Sequence, residues 1–457
     1  MSTVSANPLE AFQWQRQPKA AQFVRGVVDE FLDLVPEAAD LARRMKEETG
    51  TRFVDWVDHI RLADTKENRR QLELAGYGPE LLDPELADRT FGHSGGLFPP
   101  IVLSPGSRRH VAIKVESVAD FAAANGLYPT GGEPLAPYRE QWIDDNERFL
   151  AVERHGYRGF HPVSPSPGEK LAVLHQQEIF RTRPRQFDDE EDGFAFTEDL
   201  IDHAIEEIGV DRACDLFFAA DREFWQRRNR AAQYQMARQD RLGLGWANHD
   251  HHTYRSSRQH FSRLIEIFEK LGLVCRERFY AGKEAGWGAQ VMEQPTAGIV
   301  VFADVDLSPE ELFNDFAHAP LLPRDTLGTV GLWCGLHGES FLQAGMHHLE
   351  CQFDFESLKQ QMESDGLKVM KPFTDFPHLR QAFTEGERWP VNQDRVASLL
   401  SQHLITPEQA EQFRRNGAIG SHLENLERNE GFKGFNQSGV SEIIAATDPR
   451  KNLGNPA

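Results

Sequence analysis

The densest group of potential donors in this 457-residue chain is Asn248-His249-Asp250-His251-His252. Imidazole nitrogens and carboxylate oxygens are the ligands that first-row metal ions take from a protein poor in thiols. In a regular strand alternate residues share a face, so the spacing predicts that His249 and His251 point one way and His252 the other. His347-His348 near Glu350 is an equally dense constellation, and His59 sits in the short apolar segment Val57-Asp58-His59-Ile60-Arg61. Spacing alone does not choose among them, and it leaves each histidine equally able to be a solvated or supporting side chain. The four cysteines (Cys214, Cys275, Cys334 and Cys351) are far apart and form no C-x-x-C pair, so any metal falls to histidine and carboxylate. Two imidazoles and one carboxylate on one face, with the other positions open, suit an Fe(II) ion that must meet a bidentate substrate and O₂ together. The chain has no H-E-x-x-H, G-x-G-x-x-G or G-x-x-x-x-G-K-[ST] motif, which removes the simple cases for zincin, dinucleotide and nucleotide chemistry.

The elements that must carry these residues follow from hydrophobic rhythm. Residues 1–90 read as helical, with Val24, Val27, Val28, Phe31 and Leu32 at helical spacing and a second block at Leu81 to Leu86; a Gly/Pro-rich passage, Gly92 to Pro100, ends this N-terminal cap. His110 to Val115 then reads as a strand, Ser117 as a helix N-cap and Gly126 as the residue closing that helix. An acid-rich connector (Asp188 to Asp192) and amphipathic helices through Phe217, Phe224 and Trp225 form an insertion near 187–235. Next come a strand at His251 to Arg255 and a helix whose Phe261, Leu264, Ile265, Phe268 and Leu271 share one face, ending at Gly272. Val274 to Phe279, Gly288 to Gln294 and Gly298 to Ala303 complete a β-α-β-β-β order. A similar start recurs at His348 to Phe353, with a helix from Phe355 to about Glu363 and a strand candidate from Leu367 to Met370; a last strand candidate spans Gly434 to Ala446.

Composition bounds the partners. With 50 Lys+Arg against 71 Asp+Glu the formal net charge is -21, which disfavours nucleic acid and anionic membrane surfaces. No apolar run approaches the roughly 20 residues of a spanning helix, and no basic-then-apolar leader opens the chain, so the expectation is a soluble cytoplasmic protein.

Four motifs carry a resemblance. Arg109-His110-Val111-Ala112-Ile113-Lys114, continuing to Gly126-Leu127-Tyr128-Pro129, resembles the R-H-G-A-I-R strand and following helix of the 2-oxoadipate dioxygenase/decarboxylase (2-hydroxyglutarate synthase) family. His251-His252-Thr253-Tyr254-Arg255 is similar to that family's H-L-T-P-R, Met292-Glu293-Gln294-Pro295 to its I-E-Q-R, and Gly439-Val440-Ser441 with Asn452-Leu453-Gly454-Asn455 to its V-S-A and N-L-G-N. They occur in the family's order over roughly residues 105–455. The resemblance implies an α+β fold of the vicinal-oxygen-chelate type, in which βαβββ modules curve a mixed sheet around a metal: a helical cap over residues 1–100, and a metal-binding core over 101–457 with the helical insertion. It implies Fe(II) held by His110, His251 and Glu293, and substrate contacts from Lys114, Arg255, Val440 and Ser441. Lys114 stands where the family has arginine, which exchanges a bidentate fork for a point charge and leaves the identity of the acid open. Asp250 or Asn248 would orient an imidazole. The implied activity is oxidative decarboxylation, in which O₂ and a 2-oxo acid like 2-oxoadipate yield a shortened 2-hydroxy acid and CO₂. Two rivals stand beside it: an O₂-independent metal-dependent isomerase or hydrolase on the same fold, and a non-catalytic small-molecule binding protein.

Overall fold

A computed structural model describes residues 13–82, 89–106, 109–128, 132–436 and 447–450. Among them, seven strands form one sheet: β1 (Val57–Ala63), β2 (Gly78–Pro79), β3 (Thr90–Gly92), β4 (Ile101–Ser104), β5 (His110–Lys114), β6 (Tyr138–Trp142) and β7 (Phe149–Arg154), in the order β2-β3-β4-β1-β5-β7-β6. A second sheet holds β8 (His249–Arg255), β9 (Val274–Tyr280), β10 (Trp287–Gln294), β11 (Ile299–Asp306), β12 (His348–Gln352), β13 (Thr374–Phe376), β14 (Leu379–Phe383), β15 (Glu387–Trp389) and β16 (Ala418–Arg428). Its order is β13-β14-β16-β12-β8-β11-β10-β9, with β15 paired to β16.

One construction rule generates both sheets. β1, the helix Lys66–Ala75 and β2 to β4 make a βαβββ module, as do β8, the helix Phe261–Lys270 and β9 to β11. β12, the helix Phe355–Ser364, β13, β14 and β16 make a third, with β15 and two helices inserted before its last strand; β5, the helix Val118–Ala124, β6 and β7 make a shorter fourth. In every module the first and last strands pair in parallel (β1 with β4, β5 with β7, β8 with β11, β12 with β16). The first strands of successive modules pair antiparallel, β1 with β5 and β8 with β12. The fold is α+β, and the module is the one the sequence led us to expect.

Each sheet buries one face under helices. Against the second sheet, Phe261, Leu264, Ile265, Phe268 and Leu271 are all fully buried, and they pack with Tyr254, Val301, Leu349 and Leu423. Gly272 follows with φ 82°, the left-handed turn that ends the helix at low cost for glycine. Ser117 accepts a hydrogen bond from the Asp120 amide at 3.2 Å as an N-cap, and Gly126 has φ 66°.

Three expectations change. The N-terminal region is helical over Pro18–Leu34 and Pro36–Arg44, but β1 pairs directly with β4 and β5, so the first sheet runs across residue 100 and no cap is divided from a core there. β1 buries Ile60 and Leu62 beneath these helices, and its short alternation is hidden between helical stretches. The helical insertion is longer than its acidic stretch, comprising Pro167–Thr182, Glu190–Ile208, Val210–Gln226 and Arg230–Asp240. Leu367 to Met370 makes only an isolated bridge, Val369 with Thr384, and most of Gly434 to Ala446 lies outside the described residues. No helix among the described residues is long and apolar enough to cross a membrane.

Phe268 is the central side chain of the helix-to-sheet contact, touching Phe218, Tyr254 and Phe341. Phe268→Ala should cost about 3–5 kcal/mol, measured as a lowered urea midpoint with an unchanged denaturant slope.

Candidate metal centre

The face of the second sheet opposite its helices carries a cluster of buried titratable groups. A β-bulge sets the pattern: against β12, His251 faces Glu350 while His249 faces Cys351, so Asp250 is an extra residue. The alternation expected of a regular strand therefore breaks. His249 lies 5.1 Å from His252, ring to ring, on the helix-covered side, and Asp250 joins His251 on the inner side. His252 is a satisfied core histidine, its Nδ1 3.2 Å from the Val300 carbonyl and its Nε2 3.1 Å from Arg222.

On the inner face β12 and β16 run in parallel register, pairing His348 with His422, Leu349 with Leu423 and Glu350 with Glu424. One donor atom from each of His251, His348 and Glu424 lies within 4.8 Å of the others, and all three residues are buried. His348 Nε2 is 3.1 Å from Glu424 Oε2, and His251 Nε2 is 2.6 Å from Glu350 Oε2. Neighbouring ligands on an ion with bonds of about 2.1 Å lie about 3 Å apart, so the spacing fits a shared ion. Gln381 Nε2 donates to both carboxylates, at 3.1 Å to Glu350 and 3.2 Å to Glu424. Thr253 Oγ1 lies 2.9 Å from His348 Nε2.

Electrostatics point the same way. Burial, then a neighbouring carboxylate (Glu424 for Glu350, Asp250 for Glu424), pushes Glu350 and Glu424 well above the usual carboxylate range, and burial pushes His251 and His348 below that of imidazole. Neutral imidazoles and carboxylates that lack a counter-charge are what a divalent cation resolves. Asp250 is different. Burial alone would raise it, but Arg428, at 2.9 and 3.0 Å, holds it below the ordinary range. Asp250 Oδ2 lies 3.3 Å from His251 Nδ1, so it accepts that proton and leaves Nε2 facing the site. This is the orienting role expected of Asp250 or Asn248; Asn248 instead donates to the Gln352 carbonyl.

A cavity of about 50 Å³ adjoins these residues, walled by Phe279, Trp287, Phe302, Phe383 and Phe435, with Asp304 as a further polar group. Such a volume takes an ion and one or two waters. Asp304 is pushed up to about 8 by burial, against the opposing pull of Arg255 at 3.8 Å.

The residues implied by the resemblance do not all converge. His251 does. His110 lies in the first sheet, its Nε2 3.2 Å from His59 Nε2, beside Trp142. Glu293 faces the inner side of the second sheet but is taken by Lys433 at 2.8 Å and Arg276 at 3.4 Å. Among the described residues, no group of three donors joins either to His251. Lys114 lines a different cavity of about 290 Å³ with Arg212, Asp215, Arg222 and His249. Arg255 is brought close, buried beside Asp304 and 5.6 Å over the Trp333 ring. Val440 and Ser441 lie outside the described residues. Sequence reading noticed His348 and Glu350 without choosing them, and it missed Glu424. A signal was present: the tripeptide His-Leu-Glu occurs at 348–350 and again at 422–424, on the two strands that pair in register.

No family model and no curated protein matches the chain. Among solved structures it is similar to methylmalonyl-CoA epimerase from Mycobacterium tuberculosis, at 11% identity over 40% of this chain and 88% of that one, TM-score 0.23. It is similar to a variant of 4-hydroxymandelate synthase from Streptomyces coelicolor, at 12% identity over 87% and 98%, TM-score 0.28. An uncharacterised protein from Shigella flexneri follows at 11% identity over 63% and 84%, TM-score 0.24. These likenesses are distant, and the reading of the site rests on its own residues.

The raised Asp304 has a consequence for stability. Between about pH 4 and pH 8 the folded chain keeps a proton that the unfolded chain has released, so stability falls as pH rises through that window. In metal-free protein, Asp304→Asn should lose less stability between pH 5 and pH 8 than the parent, read from urea midpoints. Equal pH slopes would mean that Asp304 is ionised in the fold.

Proposed function

We propose that this chain is a metal-dependent dioxygenase that couples O₂ to the oxidative decarboxylation of a 2-oxo acid, giving a shortened 2-hydroxy acid and CO₂. One observation carries the reading: two buried imidazoles and a buried carboxylate converge beside an aromatic cavity. His251, His348 and Glu424 would hold the ion, a set that replaces the one implied by the resemblance. Bound there, Fe(II) would supply the redox chemistry and leave positions for the acid and O₂.

The protein's part is positioning and exclusion. Asp250, fixed by Arg428, holds the His251 tautomer; Thr253 and Gln381 fix His348 and Glu424. Asp304, protonated near neutral pH, can donate a hydrogen bond to a substrate oxygen in the cavity, and Arg255 adds positive potential behind it. The aromatic walls exclude water from the reacting atoms. Phe435, which packs 4.4 Å from Phe302 and 5.4 Å from His251, forms part of that wall.

The test is O₂ uptake with CO₂ release by the Fe(II)-loaded protein across a panel of 2-oxo acids, with an air-free control. His251→Ala, His348→Ala and Glu424→Ala should each lose iron and fall at least 100-fold in turnover, while His110→Ala and Glu293→Gln should retain iron. Iron retained by all three of the first variants would refute the assignment.

The 2.6 Å approach of Glu350 to His251 favours a second reading. With Glu350 as a fourth residue that would hold the ion, the site would suit the redox-silent Lewis-acid chemistry of an isomerase. That reading expects turnover without air and its loss in Glu350→Gln; the dioxygenase expects no turnover without air.

A further inference from the structure

Beside the site just described lies a second convergence of nitrogens for which the proposed reaction has no use. His347, His348 and His422 each offer one donor nitrogen within 4.8 Å of the others, and all three are buried. Each also carries a buried ring nitrogen without a hydrogen-bond partner: His347 Nε2, His348 Nδ1 and His422 Nε2. A core histidine ordinarily satisfies both nitrogens, as His252 does, because an unpaired buried polar atom forfeits its hydration for nothing. Three unpartnered nitrogens on three buried rings packed against one another point to a ligand among them.

The surroundings fix the rings as ligand rings are fixed. His347 Nδ1 donates to the Gly420 carbonyl at 3.0 Å, which sets the tautomer and leaves the Nε2 lone pair free. His348 turns Nε2 toward Thr253 and Glu424, so its unpaired Nδ1 is the opposite edge of the same ring. Phe383 stacks on His422 at 4.2 Å, and Trp333 meets His347 edge-on at 5.3 Å. The ring centres of His347 and His422 are 4.6 Å apart, and those of His348 and His422 5.3 Å. Burial, then Arg255, opposes a proton on His347 and His422, which leaves their rings neutral.

We propose that His347, His348 and His422 hold a second metal ion, bridged to the first through the His348 ring. An all-imidazole set selects Zn²⁺, Co²⁺, Ni²⁺ or Cu²⁺ over the oxygen-seeking Mg²⁺ and Ca²⁺. The proton balance is explicit. A neutral imidazole has one lone pair in the ring plane, so bridging requires His348 to release its remaining N–H proton to solvent, and the freed pair binds the second ion. The bridge rests on His348 serving the first site; the three-imidazole site does not.

Co²⁺ itself is the probe. Demetallated full-length protein, saturated with Co²⁺ and freed of excess, should carry two ions per chain by elemental analysis. His422→Gln and His347→Gln should each carry one. His251→Gln should also carry one, now with the intense visible absorption of a low-coordinate Co²⁺ on nitrogen ligands. A single ion per chain in the parent protein, unchanged in His422→Gln, overturns the proposal. If a variant fails to fold by circular dichroism, the parent stoichiometry decides alone. Two ions persisting in His251→Gln, with one lost in His422→Gln, would leave the three-imidazole site standing and remove the first-site reading.

Discussion

The parallel pairing of β12 with β16 is the constraint on which the site depends. Register sets His348 beside His422 and Glu350 beside Glu424, and Leu349 and Leu423 between them anchor both strands in the helix-covered core. Because side chains alternate, anchoring the two leucines forces four polar side chains onto the inner face together. A slip of one residue would exchange the apolar and polar sets. The hydrophobic core therefore enforces the polar site.

That enforcement has an electrostatic cost, and the neighbouring residues distribute it. Asp250 keeps its charge because Arg428 grips both of its oxygens, and so it can hold the His251 proton. Glu350 and Glu424 meet the Gln381 amide and the neutral rings of His251 and His348, none of which carries a charge to balance two anions. A buried set that is unstable as anions and poorly matched as acids is poised for a cation. The aromatic walls raise the stakes, since they remove the water that would otherwise screen these groups.

The first sheet shows what the same construction does without that carboxylate. Its module-opening strands also bring two imidazoles together, His59 and His110, with Asp58 at 2.7 Å from His59 Nδ1. The closing strands β4 and β7, however, turn Val102, Leu150 and Val152 toward the face that carries His110 and Lys114. In the second sheet the closing strand β16 supplies Glu424. Two imidazoles are common to both halves, and one glutamate separates a candidate metal centre from a buried histidine pair.

The sequence by itself determined the element types around the site. The apolar face from Phe261 to Leu271, the cap at Ser117, the turn at Gly126 and the β-α-β-β-β order are local consequences of periodicity and backbone preference, and they hold in the fold. It also marked His251 and the cluster at His347 to Glu350 as chemically dense. Which donors meet was decided by tertiary structure alone. Asp250 reached the inner face through a bulge that depends on the partner strand, and Glu424 arrived from more than 170 residues beyond His251. His110 and Glu293 match motifs, yet the first is in another sheet and the second is neutralised by Lys433 and Arg276. A motif fixes residue types along a strand; coordination requires atoms from separate strands within a few ångströms, and strand pairing is a non-local choice that local patterns do not encode.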